Sequence, residues 1–294
     1  MMVNRYAKSV PREILGGTLP NAIRFLSATN SNDSVQVHCQ SPIFLLSAGW
    51  RSGSTLVQRL ICSDESTLMW GEPFGDRLPI SRMSASLREF DENDGHLKYS
   101  IDSFNGKLAN GWIANLNPGV ESLRLAHLAF FEKLFAEPAA ARGYQRWGVK
   151  CVRLTGYDAW YLRWLYPDAK LLFLVRHPLS AYRSFRGKAW FTVRPHHCVS
   201  GVTSFLAHWR YLANSFVEQN ESLDAMLIRY QDIKSGTNFQ KQLAKHIGVQ
   251  VDSTPLESKI GARSEKQAPI RVYEKICCYW MAQKLIGKLN LSIA

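Results

Sequence analysis

Two stretches of the chain set cations and hydroxyls where a backbone turn can help them hold an anion. The first is Trp50-Arg51-Ser52-Gly53-Ser54-Thr55, which follows an apolar run beginning at Ile43 and leads into an apolar-periodic segment ending near Leu60. Gly49 and Gly53 allow backbone angles closed to other residues, so successive N–H groups can point at one anion. Ser54 and Thr55 add hydroxyl donors, and a helix starting there adds the positive end of its dipole. Arg51 adds a full charge with several donors. The pattern is not the nucleotide P-loop G-x-x-x-x-G-K-[ST], because no Lys precedes the Ser/Thr and Arg51 stands two residues before Gly53. On this stretch alone, an anion cradle and a plain strand-to-helix connection both remain open.

The second stretch is LLFLV over residues 171–175, followed at once by Arg176-His177-Pro178. A continuous apolar run of this length suits a strand buried on both faces, which puts Arg176 at its carboxyl end. Open α/β sheets bind ligands along that edge, so Arg176 and Arg51 face one crevice if their strands are neighbours. A P-loop phosphohydrolase would carry an acid there to help hold magnesium. A cation in that place suits an anionic group held without a metal.

With these residues in view, the chain resembles the PAPS-dependent sulfotransferases, whose donor is 3′-phosphoadenosine 5′-phosphosulfate. Arg51-Ser52-Gly53-Ser54-Thr55, with Leu56 following, resembles the family's [KR]-S-G-[ST]-T motif; the resemblance implies that this strand-loop-helix cradles the 5′-phosphosulfate. Arg176-His177-Pro178 with Ser184 resembles the second motif, which implies that Arg176 and Ser184 hold the 3′-phosphate. Gly71-Glu72-Pro73, Trp147-Gly148-Val149-Lys150 and Ile228-Arg229-Tyr230-Gln231-Asp232 continue the likeness, in the family's order. The Arg in the first loop is similar to the carbohydrate, tyrosyl-protein and bacterial branches. The cytosolic branch has a His two residues after a Lys, where this chain has Lys150-Cys151-Val152.

The resemblance therefore implies Glu72 as the general base and Lys150 as a cation near the sulfate, with Arg51 sharing the leaving-group role. A surface Glu72 and a Lys150 paired with a core carboxylate stay open, as does Tyr230 as donor contact or core residue. Arg263 and Lys266 fall where relatives close a basic loop over the nucleotide. PAPS is then the donor and PAP the product, with no metal required. A P-loop-like kinase or nucleotide hydrolase, which would need magnesium and ATP, and a non-catalytic nucleotide-binding module are the alternatives.

The elements that must position these residues are strands near 43–47, 68–70, 147–152, 171–175 and 225–229, alternating with helices near 119–137, 157–166, 179–185, 202–218 and 239–247. This alternation predicts an α/β fold with a mostly parallel central sheet covered by helices on both faces. No linker or repeat divides the 294 residues. A single domain is expected, with 1–40 as an N-terminal extension, 41–250 as the core, and 251–294 as a nucleotide-covering loop and C-terminal helix.

Composition narrows the partners. The formal net charge is +12, but Lys and Arg are spread without long runs and no nucleic-acid-binding signature accompanies them, so nucleic acid is not expected. A donor with two phosphates and a sulfate accounts for several of the cations. No apolar stretch is long enough to cross a bilayer, and residues 1–20 are polar and interrupted by Pro11 and Gly16-Gly17; the expectation is a cytoplasmic protein without a membrane partner. The six cysteines show no zinc spacing and read as mostly buried free thiols. Residues 64–94 carry Asp64, Glu65, Glu72, Asp76, Glu89, Asp91, Glu92 and Asp94 against Arg77, Arg82 and Arg88. They form either a solvated loop or an acidic wall for a cationic small-molecule acceptor, such as a guanidinium alkaloid of the saxitoxin type.

Overall fold

Five runs rich in apolar residues pair into one parallel sheet: β1 (Ile43–Ser47), β2 (Thr67–Gly71), β3 (Arg146–Cys151), β4 (Lys170–Val175) and β5 (Met226–Arg229). Their order is β2-β3-β1-β4-β5. The computed structural model describes residues 12–28, 37–77, 79–91, 95, 97–186, 199–233, 237–257 and 269–293. The helices are α1 (Arg12–Ala28), α2 (Ser54–Ile61), α3 (Pro79–Ala85), α4 (Gly119–Phe131), α5 (Glu137–Ala140), α6 (Gly156–Leu165), α7 (Pro178–Phe185), α8 (Val202–Gln219), α9 (Tyr230–Ile233), α10 (Thr237–Ile247), α11 (Thr254–Glu257) and α12 (Val272–Lys288).

Successive strand side chains point to opposite faces, and here both faces are covered. Phe44 and Leu46 of β1, with Leu171, Phe173 and Val175 of β4, enter one core, while Ile43, Leu45, Leu172 and Leu174 enter the other. The larger core takes residues from α1, α4, α6, α7, α8 and α12, and the smaller one from α2 and α10. In the larger core Phe44, Phe131, Trp147 and Tyr166 pack edge to face, with centroids 5.6–6.5 Å apart. That geometry suits aromatic quadrupoles and fixes β1 against β3.

Two elements depart from the sequence expectation. α1 runs through Gly16-Gly17 and Pro20, which local propensity disfavours. It packs against α6, and Leu19, Ile23 and Leu26 are buried there, so tertiary packing overrides the local signal. The helix expected near 119–137 continues to Ala140 through one wider, π-type turn at Glu132–Ala136. Glu132 is buried in that turn, accepting from the Tyr166 hydroxyl at 2.8 Å and the His38 N–H at 3.1 Å. The cysteines also differ: of the five described, all free, only Cys151 and Cys278 are buried, and Cys62 is exposed.

The register aligns the carboxyl ends of the strands. Lys150 lies opposite Gly71 on one side and Leu45 on the other, Ser47 opposite Leu174, and Val175 opposite Arg229. β1 and β4 are direct neighbours, which is the condition for Arg51 and Arg176 to share a crevice.

Candidate active site

The turn after β1 is built from left-handed backbone: Gly49, Arg51 and Gly53 have φ of 81°, 60° and 96°. Gly53 is fixed twice, because a Cβ there would also lie 2.4 Å from the Tyr230 ring. It caps α2 with no side-chain hydrogen bond, leaving the start of that helix for another acceptor. Ser52 is fully buried, and its hydroxyl contacts that of Ser47 and donates to the Gly49 carbonyl at 3.2 Å. Its side chain braces the turn, so any contact with an anion falls to its backbone. Ser54 is buried, Thr55 exposed, and Leu56 half-buried against the smaller core.

Arg176, one residue past β4, meets this turn. Its guanidinium donates to the Arg51 carbonyl at 3.0 Å, and Arg51 Nε donates to the Ser184 hydroxyl on α7 at 2.9 Å. The guanidinium lies 4.1 Å over the Tyr230 ring, and the Arg176 carbonyl accepts from the Trp209 indole at 3.0 Å. Arg176 Nε is buried without a hydrogen-bond partner. Burial lowers the pKa of Arg176; Tyr230 offsets part of this, and the charges of Arg183 and Arg51 lower it further. Arginine does not give up its proton at such a site. The mutual repulsion and the unsatisfied N–H are therefore a standing cost that an anion would relieve, so these residues fit a phosphorylated ligand.

On the other side of β1, the ends of β2 and β3 carry a carboxylate and two cations. The Glu72 N–H donates to the Lys150 carbonyl at 2.8 Å, extending the ladder one residue past β2. Glu72 Oε1 is 2.6 Å from Lys150 Nζ, and Oε2 is 3.4 Å from Arg153. The Lys150 side chain is 7% exposed and that of Glu72 30%, so the carboxylate faces the opening and the amine does not. Lys150 does pair with a carboxylate, but the carboxylate is Glu72, and the two candidate catalytic groups are in contact. Arg153 also donates to the Gly75 carbonyl at 3.2 Å and lies 5.2 Å over the Trp50 ring. Trp50 is 5% exposed and stacked on Phe185 at 5.3 Å, so it plugs the sheet edge. Arg153 was not anticipated; its signal was a basic residue three places after Lys150, beyond a strand end.

Among the described residues five non-glycines have positive φ, and Arg51, Glu72 and Phe74 are three of them. Such strain costs on the order of 1–3 kcal/mol per residue and gathers at functional sites. Beside Lys150, the Cys151 thiol is pushed up to about 12, first by burial and then by Glu72. It supplies no thiolate near neutral pH.

The remaining expectations fall elsewhere. Arg263 and Lys266 lie outside the described residues. Asp64 accepts from Ser66 and Thr67 at 2.7 and 2.5 Å, and with Glu65 it precedes β2. Both therefore sit at the edge of the sheet opposite Glu72, away from the crevice. Among the described residues no group of three or more His, Cys, Asp or Glu could hold a metal ion, and no helix is long and apolar enough to cross a membrane.

Among solved structures, the chain is similar to the sulfotransferase domain of the olefin synthase of Synechococcus PCC 7002, at 14% identity and a TM-score of 0.47, covering 90% of this chain and 99% of that one. It is also similar to the sulfotransferase domain of the curacin biosynthetic pathway, at 15% identity and a TM-score of 0.46, covering 89% and 100%. No curated protein matches it. The model of the sulfotransferase family matches residues 42–252, a span that holds all five strands together with Arg51, Glu72, Lys150 and Arg176. The chain belongs to the sulfotransferase family and is an enzyme of sulfuryl transfer.

Proposed function

We propose that this is a cytoplasmic enzyme that takes its sulfuryl group from PAPS and passes it to a hydroxyl or amine of a small molecule, with Glu72 as general base. The observation that carries the reading is the meeting of Arg51 and Arg176 through the 3.0 Å bond, with a buried guanidinium N–H left over. When bound, PAPS supplies an activated sulfuryl group on a phosphate leaving group. Arg176 and Ser184 would hold its 3′-phosphate. The Arg51–Thr55 backbone, the Ser54 and Thr55 hydroxyls and the α2 N-terminus would hold the 5′-phosphate, and Tyr230 would support both through its contacts with Arg176 and Gly53.

Glu72 takes the acceptor proton. Its carboxylate is partly exposed at the strand ends, and Arg153 keeps its second oxygen oriented. Lys150 pairs with Glu72; turned toward the leaving group, it would offset the charge that grows there and would free one carboxylate oxygen for the acceptor. The walls beside Glu72 include Pro73, Pro79, Ile80, Val152 and Leu154 with Arg153 as a cation. With Asp64 and Glu65 at the far edge, this lining favours an acceptor with an apolar body over the guanidinium-bearing one.

Thermal melting with PAP, ADP and ATP, each with and without magnesium, tests the donor. PAP should stabilise the enzyme most and do so without magnesium, by about 2.7 kcal/mol at a hundred times Kd. Stabilisation by ATP with magnesium beyond that by PAP would make the chain a kinase-like enzyme instead.

A further inference from the structure

The outward face of α12 is apolar. Val272, Ile276, Tyr279 and Trp280 are 73%, 52%, 62% and 79% exposed. At about 100° per residue they fall within roughly a third of the helix circumference. Tyr273 extends the stripe at one end. The opposite face is the one that packs, through Glu274, Cys278, Ala282 and Leu285. A soluble enzyme gains nothing from a Trp this exposed beside three other large apolar side chains.

What flanks the stripe identifies what covers it. Lys275 lies on one side and Lys284 and Lys288 on the other, all exposed. A groove between α8 and α12 adds Arg210 beside Lys284, Lys288 and Trp280. The one acid of α12, Glu274, is buried and bonded to Arg186, the C-cap of α7, so it does not offset these charges at the surface. Glu218 in the groove already accepts from Tyr157 and Asn214. A second copy of the chain docked face to face would press lysines against lysines, which a protein of net charge +12 aggravates.

We propose that α12 docks the enzyme on an anionic lipid surface, the aromatic and aliphatic stripe entering the interface and the flanking lysines meeting lipid phosphates. The composition is that of a helix lying in the plane of a membrane interface: Trp and Tyr at the headgroup level, aliphatic side chains below, Lys at both margins. The groove at Arg210 then lies where a headgroup would project. No bilayer-spanning segment is involved, which is why the linear sequence carried no membrane signal. The Glu274–Arg186 bond joins this helix to α7, whose Ser184 touches Arg51, so the docked face is one helix away from the donor crevice.

The test is co-sedimentation of the full chain with phosphatidylcholine vesicles, with and without a minority of phosphatidylglycerol, at low and at raised salt. The expected result is binding to the anionic vesicles alone, weakened by salt. Joint reversal of Lys275, Lys284 and Lys288 to Glu should lower the partition coefficient about 100-fold or more, and Ile276→Ser with Trp280→Ser by about tenfold or more. All these positions are exposed, and unchanged thermal melts of both variants will show that they still fold. Absence of binding, equal binding to both vesicles, or self-association in light scattering that Ile276→Ser with Trp280→Ser abolishes would each overturn the proposal.

Discussion

Arg146, which opens β3, and Arg176, just past the end of β4, are both partly buried arginines on opposite edges of one parallel sheet. Arg146 is satisfied in every direction. Its Nε donates to the Ser41 carbonyl at 2.8 Å, one terminal nitrogen to the Ser41 hydroxyl at 3.1 Å, and the other to the carbonyl of Ile247, the last residue of α10. Arg176 retains a buried Nε with no acceptor and faces Arg183 and Arg51. Helix dipoles deepen the contrast. A cation at the end of α10 is where the dipole favours it, whereas Arg51 and Arg176 stand at the starts of α2 and α7, where the dipole opposes them. Burial lowers the pKa of both arginines, so burial does not separate them. The separating features are the satisfied donors and the sign of the surrounding charge: one arginine fastens the fold, and the other keeps a buried donor without an acceptor beside two further cations.

The largest effect expected at the carboxyl edge is on chemistry. Glu72→Gln should lower kcat by about 10²–10⁴ while PAP affinity, read by calorimetry, stays within a few-fold. Loss of PAP binding of the same size would remove Glu72 from the role of base and make it part of the donor cradle. Next comes the pair that sets the two edges against each other. Arg176→Ala should weaken PAP about 10- to 100-fold, as expected for losing a hydrogen bond to a charged group, and leave the melting temperature unchanged or higher because repulsion is relieved. Arg146→Ala should do the reverse, with PAP affinity unchanged and stability down by about 1–3 kcal/mol. For a chain of this size that is a fall of several degrees. Equal loss of both properties in both variants would erase the distinction.

The same contrast separates what the linear sequence revealed from what it hid. β1 and β4 were legible because strands buried on both faces read as unbroken apolar runs, and the residues after them stood out as charge following hydrocarbon. Arg51, Glu72, Lys150 and Arg176 could be proposed because they stand at or a few residues beyond strand ends and match motifs in order. α1 was hidden by Gly16-Gly17 and Pro20, since its stability comes from burying Leu19, Ile23 and Leu26 against α6 rather than from propensity. Ser52 illustrates another limit. Its place in the motif suggests a ligand, but whether a hydroxyl turns toward solvent or toward Ser47 is decided by the left-handed turn. Arg153 was missed because its partner, Glu72, is distant in sequence and the pairing exists only once β2 lies beside β3. Asp64 and Glu72 show the same limit, since residues near each other in sequence sit on opposite edges of a sheet when a strand runs between them.

The smallest expected effect lies at His177, between Arg176 and the helix it begins. The residue is 7% exposed, and its Nδ1 accepts the Leu179 N–H at 3.3 Å as the N-cap of α7. Burial pulls its pKa down from 6.5 to about 4. A histidine whose folded pKa is depressed binds fewer protons folded than unfolded between these two values, so its contribution is complete above about pH 6.5 and is lost as pH falls toward 4. Protonation would also remove the acceptor at the cap and add a third cation, after Arg51 and Arg176, at the dipole end that disfavours it. From pH 7 to pH 6 the expected loss is under about 1 kcal/mol, or at most about 2–4 °C in Tm. His177→Asn keeps a cap acceptor that does not titrate. His127 and His246 are depressed by burial as well, but they are common to both proteins and cancel in the difference. The wild type minus His177→Asn difference in Tm should therefore rise with pH up to about 6.5 and then level off; a difference that stays flat from pH 4 to 7 would mean that the carboxyl edge already tolerates a further cation, against the contrast drawn between Arg146 and Arg176.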